Sequence, residues 1–201
     1  MKQHVFSNLL TVVVMLGSLH LYDVMHNRDL TIERAMSPVL HLSNARQFIL
    51  DSDIHESIRE IDHAIMDMKI IEQYADSIAV IHIERAIEDL ELVEVEIQND
   101  SVIVSDLNNA YFNAINSIAF ANLTIAESSL EKGEKYKAMR FMNATFSEMV
   151  GSLKYADDNT RQKENEVINE IKGILTELRR TDFQYEFDYD SLNQEMEELI
   201  D

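Results

Sequence analysis

One apolar pattern occurs twice between Leu42 and Val104, and this duplication limits the chain to few architectures. The run Ile61-Asp62-His63-Ala64-Ile65-Met66-Asp67-Met68-Lys69-Ile70-Ile71-Glu72 is echoed by Ile83-Glu84-Arg85-Ala86-Ile87-Glu88-Asp89-Leu90-Glu91-Leu92-Val93-Glu94. Apolar residues return every three or four positions, the period of a helix with about 3.6 residues per turn. A lone amphipathic helix cannot bury such a face, so two in succession imply an antiparallel pair within a bundle. Four Gly and one Pro leave few helix breakers, and 46% hydrophobic content is enough to fill a core.

Charge narrows the function classes. Seventeen basic residues stand against 37 acidic ones, a formal charge of −20. Phosphate backbones would be repelled, so nucleic acid is not an expected partner, nor is anionic lipid through a basic patch. Without cysteine the chain has no disulfide, thiolate chemistry or cysteine-held metal.

In chain order, Lys2 precedes an uncharged stretch, Val5 to Tyr22, of about 18 residues. It reads as a signal peptide or membrane anchor over 1–22, and a buried N-terminal helix is the competing reading. Residues 23–156 read as the bundle domain. A polar helix over Asp23 to Ser37 leads to Pro38, which suits the first turn of a helix running to about Leu50. Asp53 is placed to cap the helix from Ile54 to about Glu72, and the next begins at Ile78. Val93-Glu94-Val95-Glu96-Ile97 then alternates, polar residues follow, and Val102-Ile103-Val104 comes after. That alternation predicts a short β-ribbon over about 93–104, with one longer helix to Ile97 as the alternative. Helices follow from Ser105 or Asp106 to about Glu131, where Gly133 supplies a left-handed end, and from Lys135 to about Ala156.

Residues 157–201 read as a C-terminal unit: a polar helix from Thr160 to Arg180, an arm, and a short helix. The arm, Phe183-Gln184-Tyr185-Glu186-Phe187-Asp188-Tyr189, alternates aromatic and polar residues and is expected to be extended. Its rings, Phe183, Tyr185, Phe187 and Tyr189, are the candidate interaction residues. The alternative is an arm packed on its own or a second copy's helices. Ser191 with Gln194 is a capping box for the last helix.

The order of elements resembles the YfdX family over about Pro38 to Val150. Ala45-x3-Ile49, a turn at Ser52-Asp53, then Ile58, Ile61 and Ala64 form one copy of a helical hairpin. Ala126-x3-Leu130, a turn at Gly133, then Ala138, Phe141 and Ala144 form another. Between them lie the proposed strand from Ala86 to Val95 and its return strand. The chain departs from the family pattern at Ser105-Asp106-Leu107, where Pro-Leu is usual, and in the shortened middle portion. The resemblance implies a mostly helical, oligomeric, periplasmic protein linked to stress tolerance and chaperone-like holding of other proteins. It brings no catalytic residues.

Candidate chemistry is sparse. Glu60-x-x-His63 has the spacing of a carboxylate-bridged metal helix, but no second copy exists, and Arg85 stands where His63 would recur. His55, His63 and His82 would have to converge across paired helices to hold zinc or nickel. Glu84, Glu88, Glu91 and Glu94 form an acidic stripe with no calcium-loop spacing, and a solvated face accounts for it. The sequons at Asn122 and Asn143 fall inside predicted helices. No phosphate loop, dinucleotide fingerprint or nucleophile elbow is present.

The expected fold is therefore mainly α: long antiparallel hairpins, one β-ribbon and an extended aromatic arm. The expected function is non-enzymatic and without cofactor: a self-associating, exported, YfdX-like protein that binds client proteins under stress. A secreted or anchored interaction module using the acidic aromatic tail is the second reading. A metal-binding bundle around Glu60 and His63 is the third. The expected location is periplasmic or secreted, with the cytoplasm as alternative, and contact with a membrane would be through residues 1–22.

Overall fold

The computed structural model describes residues 37–180 and 189–200. Among them are seven helices: α1 (Ser37–Leu50), α2 (Ile54–Glu72), α3 (Ser77–Gln98), α4 (Val104–Glu131), α5 (Lys135–Ser152), α6 (Asp158–Leu178) and α7 (Tyr189–Ile200). The N-terminal segment 1–22, the helix expected over 23–37 apart from its last residue, and Phe183, Tyr185 and Phe187 lie outside the described residues.

Connections from α1 to α6 run from three residues (51–53, 132–134) to five (99–103, 153–157). Loops this short turn each helix back along its predecessor, and every consecutive pair is packed together. Acidic caps fix several starts. The Asp53 carboxylate accepts from Glu56 N at 3.3 Å, Asp76 from Ala79 N at 2.8 Å, and Asp157 from Thr160 N at 2.8 Å. Gly133 ends α4 at φ +73°, with Glu134 N donating to Ser129 O at 2.8 Å.

The middle of the bundle is α4. Every residue from Ala114 to Ala126 is buried. No charged residue occurs between Asp106 and Glu127, so this helix can be covered on all sides. It packs against α3, α5 and α7, and more lightly against α1 and α2. Gly151 lets α1 approach α5: a Cβ there would meet Val39 Cγ1 at 2.7 Å.

Two expectations are corrected. The ribbon at 93–104 is the last turns of α3 followed by a turn. Val93 and Ile97 are four apart and both buried, continuing the stripe of Ile83, Ala86 and Leu90. Burial at helical spacing outweighs the strand preference of the β-branched residues, which is weak. The polar turn is where the sequence places it: Asp100 adopts φ +52°, and Ser101 N donates to Glu96 O at 2.9 Å. The second correction concerns the arm. Its last ring, Tyr189, is the buried first residue of α7, and Ser191 lies inside that helix instead of capping it.

Candidate functional site

Pairing of α1 with α2 gathers the one set of potential metal ligands among the described residues: His41, Glu60 and His63. Glu60, His63 and Asp67 follow at i, i+3 and i+7 and so share a face of α2, as His41 and Asn44 share a face of α1. One donor atom from each of His41, Glu60 and His63 lies within 4.8 Å of the others. His41 Nδ1 hydrogen bonds Glu60 Oε2 at 2.8 Å, and Asn44 Nδ2 donates to the same oxygen at 3.3 Å. The other nitrogen of His41, Nε2, lies 3.8 Å from Asp67 Oδ2. The His41 and His63 rings meet edge to face with centroids 5.2 Å apart. Glu60 and Asp67 are buried, whereas both histidines are half-buried, so the cluster is open on one side. Burial alone would raise the Glu60 carboxyl, but the hydrogen bonds from His41 and Asn44, with the two nearby imidazoles, outweigh it and hold it below its ordinary value.

Glu60 and His63 were legible as a pair; His41 was not. A mirror about Ser52 would have found it. Positions 41 and 63 each lie eleven residues from 52, and 44 and 60 each lie eight from it. In an antiparallel hairpin, residues equidistant from the loop stand side by side. His55 and His82 do not join the set. His55 is exposed beside Glu56, and His82 is buried edge-on against Phe120 with ring centroids 5.7 Å apart.

A second feature runs along the outside of α3. Ile78, Ile81, Leu92 and Val95 are each between 48% and 64% exposed. With Arg85 and Glu88 between them, the spacing is 3, 4, 3, 4, 3: a heptad-spaced seam facing solvent. Glu84 and Glu91 flank it and are exposed, as a solvated acidic stripe requires. Glu94 departs from that stripe. It is half-buried, and burial, with Asp62 and Glu91 nearby, pushes its carboxyl up to about 7.

No family model, curated protein or solved structure matches this chain. The strand pair expected between the two hairpins is here the end of α3 and the turn before α4. No helix among the described residues is long and apolar enough to cross a membrane. The sequons at Asn122 and Asn143 are not open acceptors in the folded protein: Asn122 and Thr145 are fully buried.

The remaining polar groups lie between helices. Glu148 of α5 accepts from Asn122 Nδ2 of α4 at 2.9 Å, and Ser152 donates to Glu164 of α6. A cavity of about 220 Å³ lies beside Tyr155, Asp157, Thr160 and Ile200.

Proposed function

We propose that this chain is a non-enzymatic, self-associating helical protein, of YfdX type in its order of helices, that protects other proteins by transient binding outside the cytoplasm. The observation that carries the self-association is the heptad seam on α3. Laid antiparallel against a second copy, it brings Ile78 to Val95, Ile81 to Leu92, and Arg85 to Glu88, each pair twice by symmetry. The pairing thus has an apolar layer at both ends and two opposite-charge contacts at its centre.

Sedimentation of the full chain tests this. The expected result is a dimer that Ile81→Glu with Leu92→Glu converts to monomer at unchanged helicity. Arg85→Glu should weaken it, and adding Glu88→Arg to that variant should restore it. A monomeric wild type, or a dimer indifferent to all four changes, overturns the reading. Client binding is tested by aggregation of a heat-denatured protein; suppression no better than that of an inert acidic protein removes the holding role. Export, supported by Lys2 and the apolar run behind it, is tested by N-terminal sequencing of the mature chain.

A further inference from the structure

We propose that His41, Glu60 and His63 form a binding site for a divalent transition metal, of which Zn²⁺ is the natural candidate. Two imidazoles and a carboxylate are the donor set that Zn²⁺, Ni²⁺ and Cu²⁺ accept, and one that Mg²⁺ and Ca²⁺, which need several oxygens, do not favour. The elements supplying them are short-looped neighbours, so the donors are brought together by the same packing that forms the core.

The surroundings have the organisation such a site requires. Glu60 Oε2 is held by Asn44 Nδ2 at 3.3 Å. With His41 binding through Nδ1, its Nε2–H faces the buried Asp67 carboxylate at 3.8 Å. A ring nitrogen on the metal and the other directed at a carboxylate is the usual way a protein orients a ligating histidine. Bond lengths of about 2.0–2.1 Å place tetrahedral ligands roughly 3.4 Å apart. The 4.8 Å limit in the cluster therefore closes by up to about 1.4 Å through side-chain rotation, and the half-buried histidines have the freedom for it. Three protein ligands leave a fourth position toward the open side for water or a partner's donor.

Isothermal titration of the purified full chain with ZnCl₂, in buffer holding millimolar MgCl₂, is the test. One equivalent should bind, and His63→Ala or His41→Gln should weaken binding at least tenfold. His55→Ala, which alters an exposed histidine outside the cluster, should leave it unchanged. Binding to scattered surface carboxylates would give weak, multiple equivalents indifferent to His41 and His63, and would overturn the proposal. Should His41→Gln disturb folding, His63→Ala with a Co²⁺ visible spectrum decides: the ligand-field bands of the wild type should be lost in the variant. Bands that persist unchanged sink the site. The site and the seam on α3 are separable, since Ile81→Glu with Leu92→Glu should abolish dimerisation and keep the Zn²⁺ equivalent.

Discussion

Glu164 shows how burial sets a charge inside this bundle. Enclosed between α5 and α6, it is pushed up to about 7 by desolvation, which the hydrogen bonds from Ser152 and Asn116 and the nearby Arg161 only partly offset. Glu148, wholly buried, is raised for the same reason against the single hydrogen bond from Asn122. In the unfolded chain a glutamate titrates near 4.5, so between about 4.5 and about 7 folded Glu164 keeps a proton that the unfolded chain has lost. Stability from this group is then full below about 4.5 and falls as pH rises through that window. Relief of acidic self-repulsion acts in the same direction, so a variant is needed to separate the two. Glu164→Gln should stabilise the protein at pH 8 by roughly 1–3 kcal/mol and do little at pH 4.5. Urea unfolding at the two pH values checks it, and equal midpoint shifts at both would refute it. Asp100 offers a second test at this scale. Its φ of +52° is a left-handed conformation that costs an L-residue energy and glycine nothing. Asp100→Gly should therefore raise stability by about 0.5 kcal/mol, read as a higher urea midpoint.

Among the elements, helix starts were legible only in part: α4 starts at Val104 without a side-chain cap, ahead of Ser105 and Asp106, and Ser191 lies inside α7. Asp53 and Asp157 announce themselves by residue type ahead of an apolar period, as Gly133 does at a helix end. The end of α3 was misread because Val93-Glu94-Val95-Glu96-Ile97 satisfies two periods at once. Its alternation fits a strand, while Val93 and Ile97 extend the buried helical stripe, and only the presence of α4 beneath them decides. The same segment carries the outward seam. Val95, which as a strand residue would have shared a face with Val93, turns to solvent in the helix and lines up with Leu92. In the proposed antiparallel pair, Glu84 and Glu91 of one copy would lie near those of the other, whereas Arg85 would face Glu88. Repulsion at the flanks outnumbers attraction at the centre, so salt should tighten the dimer. Raising NaCl from about 0.05 to about 0.5 M should lower the dimer dissociation constant several-fold by sedimentation. A dissociation constant that rises with salt would mean that ion pairs, not apolar layers, hold the copies together.

The described helices are arranged around one whose middle, between Asp106 and Glu127, carries no charge. The sequence gives α4 away by the gap between Asp106 and Glu127, a stronger signal than the single stripe of Leu107, Ala114, Ile118 and Ile125 first suggests. What the sequence hides is who covers it. The C-terminal helix reads as polar and acidic, yet Leu192, Met196, Leu199 and Ile200 of α7 are buried, and α7 packs on both α4 and α6. Its last apolar residues join the same continuous core as Leu42 of α1. α7 is thus a cover for the bundle, and its loss should be felt by the whole fold. Met196→Ala removes a fully enclosed side chain and should cost about 2–4 kcal/mol. Because the core is shared, helicity followed through urea should disappear in one transition whose midpoint moves down as a unit. If α7 were an independent docking helix, Met196→Ala would leave the main midpoint where it is and remove only a small early fraction of the signal. The distinction bears on function: a cover that unfolds with the bundle cannot be released to seize a partner, and partner binding would then be left to the seam on α3.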